Sequence, residues 1–231
     1  MSWLAEPTSW SNSKIWFYTN SLKFNFKDFL SLSIYQKGEP KFPQDQCKRV
    51  NCDQRRHIME IKNSTLEDID EIFRLYDLAS ELQSTKPNVV IWPKFDRNMV
   101  ITEIEEDNQW KVIIDGKIAC IWATTFEDEQ IWEEKNEEPA VYLHRIAVNP
   151  EFRGNKFVKV ILEWAQAFAL EQGLKFVRLD TIGPNPDLIK YYQKSGFKYL
   201  GEIQLKNILG LPAHYASGKA CLFEIALDDM D

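Results

Sequence analysis

The sequence predicts a mixed α/β fold: a twisted central sheet, mostly antiparallel with one parallel strand pair, flanked by about four helices. Three observations carry this prediction. Residues 141–172, VYLHRIAVNPEFRGNKFVKVILEWAQAFALEQ, read as a buried strand, a tight glycine-containing loop and a long helix. That helix leads into KFVRLDTIG, a second apolar strand, and a strand reached through a helical crossover lies parallel to its predecessor with a right-handed connection. Asp115-Gly116, set between the apolar runs WKVII and KIACIWATTF, is the dipeptide a two-residue hairpin requires.

The remaining elements follow in chain order. MEIKN, from Met59, reads as a short strand, and Ser64 with Glu67 three residues on has the pattern of a capping box. Leu66, Ile69, Ile72, Phe73, Tyr76 and Ala79 make one apolar face of a helix running from Leu66 to about Gln83. Pro87 and Pro93 bracket an apolar connector, after which residues 94–107 read as a more charged helix. The acidic run from Glu127 to Glu138 is expected to be an exposed loop. In the central stretch Asn149-Pro150 ends the strand, and Val158, Ile161, Leu162, Ala165, Phe168 and Ala169 recur at helical spacing up to Gly173. Asn185-Pro186-Asp187 supplies a cap, a proline at the first helical position and a first-turn acid for a helix over 186–195. Residues 197–205 and 219–227 read as two closing strands around the loop NILGLPAHYASG.

Composition narrows the function classes. With 231 residues and 44% hydrophobic content the chain can bury a sizeable core. No apolar run reaches membrane-spanning length, and the start MSWLAEPTSW lacks a basic region followed by an apolar one, so a cytoplasmic protein without a membrane partner is expected. Residues 1–58 carry 9 Lys and Arg against 5 Asp and Glu, whereas residues 59–231 carry 19 against 30. A body near −11 argues against a nucleic-acid partner and suits a cationic substrate, although a solvated acidic surface reads the same way. Cys47, Cys52, Cys120 and Cys221 have no disulfide framework spacing, and the last two sit in apolar strand runs as small core residues. Cys47, Cys52 and His57 lack a paired C-x-x-C, so no metal is expected. Residues 1–58 are expected to be an N-terminal extension with Met59 as a true or alternative start, and residues 59–231 the folded domain.

The loop between the central strand and its helix brings backbone N–H groups and a helix N-terminus to one point, where an anionic group such as phosphate is held. RIAVNPEFRG, the amphipathic helix after it, and Asn185 with YYQKSGF some thirty residues later resemble the GNAT superfamily of acyl-CoA-dependent N-acetyltransferases, over Met59 to Leu227. The resemblance implies a GNAT-like sheet and acetyl-CoA as co-substrate. It implies that Ile146, Ala147 and Val148 lend backbone groups to the pantetheine arm. It further implies that Arg153, Gly154, Asn155, Lys156, Phe157 and Val158 grip the pyrophosphate, and that Asn185 contacts CoA as well as capping its helix. Lys156 and Val158 stand where the family has small residues, so CoA binding is expected to be weakened or rearranged, with Lys156 adding a charge-assisted contact.

Amine acetylation needs a neutral amine, a place for the oxyanion and a proton for the departing thiolate. Tyr192 matches the tyrosine many family members use as proton donor; a core tyrosine on the sheet is the plain alternative. Tyr142, His144, Ile146 and Val148 are expected to share one strand face, with Arg145 on the other, and His144 is then the candidate base or a satisfied structural histidine. His214 and Tyr215 fall where the family places part of the acceptor pocket, or in an ordinary turn. Trp122, Trp132 and Trp164 read as packing residues. The implied function is acetyl transfer from acetyl-CoA to a primary amine on a small molecule or peptide. A non-catalytic acyl-CoA-binding or protein-interaction module on the same fold is the rival. Neither the acceptor nor the oligomeric state is written in these motifs.

Overall fold

The computed structural model describes residues 59–86 and 89–227. The expected N-terminal extension, with Cys47, Cys52 and His57, lies outside the described residues. Among the described residues there are seven strands: β1 (Met59–Asn63), β2 (Gln109–Ile114), β3 (Lys117–Thr125), β4 (Ala140–Val148), β5 (Phe176–Ile182), β6 (Lys198–Gln204) and β7 (Lys219–Ala226). They form one sheet in the order β1-β2-β3-β4-β5-β7-β6, antiparallel at every seam except β4–β5. The helices are α1 (Ile69–Ser84), α2 (Arg97–Glu105), a single turn α3 (Glu129–Trp132), α4 (Phe157–Glu171) and α5 (Pro186–Lys194).

Local chemistry explains where the elements begin. The capping box before α1 is one residue later than its sequence pattern suggests. The Thr65 N–H donates to the Asp68 carboxylate at 2.7 Å, while the Ser64 N–H is held by the Gln109 carbonyl as an extension of β1. Asp96 caps α2 by accepting from the Asn98 N–H at 2.6 Å. At the β2–β3 turn Asp115 and Gly116 both have positive φ, 50° and 79°, which matches the twist of the flanking strands.

One face of the sheet is covered by α4 and α5, where Ile161, Trp164 and Ala165 pack against Val141, Val177 and Phe223. On the other, α1 and α2 cover Ile121 and Ala147, and a separate cluster joins Ile131, Trp132, Tyr142 and Leu222. Cys120 and Cys221 are buried free thiols, and Trp122, Trp132 and Trp164 are all core residues. The Glu127–Glu138 segment is only in part the exposed loop expected, with Glu127, Glu129, Glu134 and Glu137 exposed. It contains α3 and a 3-10 turn, and Ile131 and Trp132 are each only 2% exposed, because Trp132 stacks near Tyr142 and beneath the Arg178 guanidinium.

Two departures from regular sheet geometry shape the centre. In β4 the register against β3 slips between Ile121 and Ala123, so that Arg145 and Ile146 oppose one residue, and Arg145 takes φ 49°. This bulge reverses the alternation. Tyr142 packs with Trp132 and Leu222 while Ile146 and Val148 pack on the α4 side, so the four residues expected on one face are divided between two. Arg145 correspondingly shares the α1–α2 side, bonding to Tyr76 and Glu103. The parallel seam is short, pairing only Ala140–Tyr142 with Phe176–Arg178. Past that point β4 follows β3 and β5 follows β7 along its whole length, and the two strands part.

Arg178 closes the seam. Its fully buried guanidinium bonds Glu224 at 2.9 Å and the Tyr142 hydroxyl at 3.3 Å, pairs with Glu138, and lies over the rings of Phe176 and Trp132 at 4.4 and 4.8 Å. Among the described residues no helix is long and apolar enough to cross a membrane.

Candidate active site

A cavity of about 470 Å³ opens where β4 and β5 part. Its two strand walls are Leu143 to Ile146 and Leu179 to Ile182, and Tyr192 on α5 lines it along with Asp128, His214 and Tyr215. The site therefore exists because two strands that start as neighbours are each drawn away by an antiparallel partner.

Three titratable groups converge in it. One ligand atom each of Asp128, His144 and Asp180 lies within 4.8 Å of the others. His144 Nε2 is 3.1 Å from the Thr125 hydroxyl and 3.9 Å from an Asp128 oxygen. That Asp128 oxygen is buried with no hydrogen-bond partner among the described residues. Asp180 accepts from the Tyr215 hydroxyl at 2.8 Å. Burial, with the Asp180 charge adding to it, pushes the Asp128 carboxyl up to about 8. Burial raises Asp180 to about 6 against the opposing Tyr215 hydrogen bond. Burial and then the Arg145 charge lower His144 to about 3. At neutral pH the imidazole is therefore uncharged while the two carboxyls sit close to the proton-exchange range.

The structure brings together Tyr192, His144, Ile146, Asn185, His214 and Tyr215 of the sequence-predicted residues around this cavity. Tyr192 packs edge-on against Phe197 and at 5.2 Å from the Phe223 ring, and burial raises its phenol well above the ordinary value. Its hydroxyl has no hydrogen-bond partner among the described residues, so it remains a protonated donor directed by packing alone. Asn185 accepts from the Leu188 N–H at 3.1 Å as the α5 cap and lines the cavity as well. His214 stacks on Tyr215, its Nδ1 is buried without a partner among the described residues, and burial lowers it to about 4.

Ala147, Val148 and residues 153–158 do not line this cavity. Gly154 and Lys156 both have positive φ, 92° and 52°, and Lys156 is the N-cap of α4. The N–H groups of Gly154, Asn155, Lys156, Phe157 and Val158 have no acceptor among the described residues, leaving a run of donors at the head of a 15-residue helix. Asn155 steadies the loop by donating to the Phe152 carbonyl at 2.8 Å. Arg153, Asn155 and Lys156 are exposed, whereas the Phe157 and Val158 side chains are core residues, so those two can offer an anion only backbone.

Sequence reasoning missed Asp128 and Asp180. Asp128 was hidden in an acidic run that reads as solvated. Asp180 carried a usable signal, since a charge in an apolar strand buried on both faces needs a reason.

The family model described as Acetyltransferase (GNAT) family matches residues 66–197. A curated relative, the uncharacterized N-acetyltransferase YesJ of Bacillus subtilis (strain 168), is 30% identical over 79 residues, and the match spans 32% of this chain and 41% of that protein. A GNAT-family acetyltransferase from Listeria monocytogenes 4b F2365 superposes with a TM-score of 0.60 at 20% identity, covering 73% of this chain and 95% of that one. The putative acetyltransferase yncA of Salmonella typhimurium, solved with acetyl-CoA, superposes with a TM-score of 0.53 at 14% identity, covering 74% and 95%.

Proposed function

Since the chain belongs to the GNAT acetyltransferase family, we propose that it transfers the acetyl group of acetyl-CoA to the nitrogen of a primary amine. The observation that carries this reading is the parting of β4 and β5 beyond Tyr142 and Arg178, which opens a slot with an unpartnered tyrosine hydroxyl on one wall and two carboxyls on another. The free N–H groups of residues 154–158, with the Lys156 ammonium, supply the contacts a pyrophosphate needs, and the β4 backbone from Ile146 to Val148 borders the path between them.

The residues divide the chemistry as follows. The acceptor arrives as an ammonium whose charge favours the ionised form of Asp128; that carboxylate then takes one proton from it, in an exchange for which its raised carboxyl is far better matched than His144. The neutral nitrogen attacks the thioester carbonyl, forming a C–N bond. Breaking the C–S bond releases the thiolate, which takes the Tyr192 phenolic proton, and the second nitrogen proton leaves to solvent, from which Tyr192 is reprotonated. His144, held beside the Thr125 hydroxyl and uncharged, adds no positive charge of its own next to the ammonium.

The test is thiol release from acetyl-CoA with a panel of amines, run beside Tyr192→Phe. The expected result is turnover that falls on the order of a hundredfold in kcat in the variant, with KM for acetyl-CoA little changed. The positive φ at Lys156 and the side chain it brings to the phosphate loop favour the rival, a module that binds acyl-CoA without turning it over. CoA binding with no turnover of any amine would establish that rival; no CoA binding would end both readings.

A further inference from the structure

We propose that the acceptor is a small monoamine with an apolar, aromatic-sized body, its single ammonium seated between Asp128 and Asp180. This rests on the acetyl-transfer reading and names the substrate class of the same cavity.

Charge selects one cation. The two carboxyls converge with His144 within 4.8 Å, so once an arriving ammonium favours their ionised forms they define one anionic point and not a track along the pocket. One oxygen of Asp128 is buried and unpartnered, and among the described residues no lysine or arginine pairs with either carboxylate, so the negative charge is left for a ligand. The wall on the α1–α2 side is set against a second cation. Arg145 lines the cavity, its guanidinium lies 5.4 Å from the centre of the Phe95 ring, and its pairing with Glu103 leaves that wall without free negative charge. Glu127 also lines the cavity, but it is exposed, where an ion pair contributes little.

Shape selects the body. Beyond the carboxylates one wall is formed by Trp92, Phe95, Met99, Leu211 and Pro212, with Gln83 and His214 among the polar residues of the lining. Trp92 and Phe95 meet edge to face at 5.7 Å, and Phe95 does the same with Tyr76 at 4.9 Å, which holds both rings in place. A preformed apolar wall beside a buried charge is the arrangement that binds an amine with an apolar body and leaves a strongly hydrated chain unrewarded.

The experiment uses the full 231-residue chain. CoA binding is measured first by calorimetry. Acetylation of 2-phenylethylamine, putrescine, spermidine and a short peptide with a free N-terminus is then followed by thiol release and by the mass of the product, in EDTA and with added zinc or manganese. The expected result is a kcat/KM for 2-phenylethylamine at least tenfold above that of every other acceptor, independent of metal. Trp92→Ala should raise the KM for this amine about tenfold and leave CoA binding unchanged. Asp180→Asn should raise the same KM more than Trp92→Ala does. Preferred turnover of a polyamine or the peptide, a requirement for added metal at the carboxylates, or turnover of other amines without turnover of 2-phenylethylamine would each overturn this inference alone, whereas CoA binding with no amine turned over would overturn the acetyl-transfer reading as well. Failure to bind CoA would overturn the acetyl-transfer reading, and this inference with it.

Discussion

Replacing Asp128 by asparagine should flatten the pH dependence of folding stability between pH 5 and pH 8. The folded protein holds the Asp128 proton up to about pH 8, whereas the unfolded chain releases it near the ordinary value of 3.8. Between those limits the folded state binds one proton more than the unfolded state, so stability is greatest at low pH and falls as pH rises. At roughly 1.4 kcal/mol per pH unit the loss from this one carboxyl between pH 5 and pH 8 is about 4 kcal/mol. The Asp128→Asn side chain keeps the shape of the carboxyl without its charge, and the backbone N–H at this position still donates to the Asn136 side chain. The variant should retain only the smaller decline that Asp180, raised to about 6, completes near that pH. Urea unfolding followed by tryptophan fluorescence at pH 5, 6, 7 and 8 gives both curves. Parallel curves for the two proteins would mean that the folded carboxyl ionises normally, and the proton-transfer role given to it would fall with that result.

Three further outcomes follow from the geometry. Arg178→Met leaves Glu224, which is 8% exposed, without its buried partner, and should cost about 3–5 kcal/mol in chemical denaturation; adding Glu224→Gln should recover part of it, and simple additivity of the two would contradict the pairing. A Cβ at Gly183 would stand 2.1 Å from the Cys221 sulfur, so Gly183→Ala should destabilise by about 1–3 kcal/mol, and Cys221→Ala on that background should restore most of the loss. Lys156→Glu should raise the CoA dissociation constant at least tenfold by calorimetry with an unchanged melting temperature; an unchanged constant would remove that side chain from the phosphate loop.

Most of the element order was legible because it is written in local signals. The Asp115-Gly116 turn, the Asn185-Pro186 helix start and the 3.6-residue spacing after Val158 each act within a few residues, and each element appears where those signals put it. The site was less legible because it depends on two events with no local signature. The first is the left-handed Arg145, which sends His144 and Arg145 to the same side and breaks the strict alternation a strand reading assumes. The second is burial of the acidic segment, which comes from Trp132 finding Tyr142 and Arg178, residues at positions far along the chain. Tyr192 and Asn185 could be nominated because their motif is contiguous, and both line the cavity; Asp128 and Asp180 come from separate segments that only the folded sheet brings together.

The shortness of the β4–β5 seam has a mechanical consequence. Three residue pairs ending at Arg178 are all that stitch a four-stranded half of the sheet to a three-stranded half. Above that point the facing edges carry peptide groups with no neighbouring strand. A ligand lying in the gap would take the place of a neighbouring strand along these edges and couple two halves that are otherwise joined by the short seam and by the α4 side chains packed across both. Occupancy should therefore slow amide hydrogen exchange on both halves together, in β3 and β7 as well as in the strands that touch the ligand.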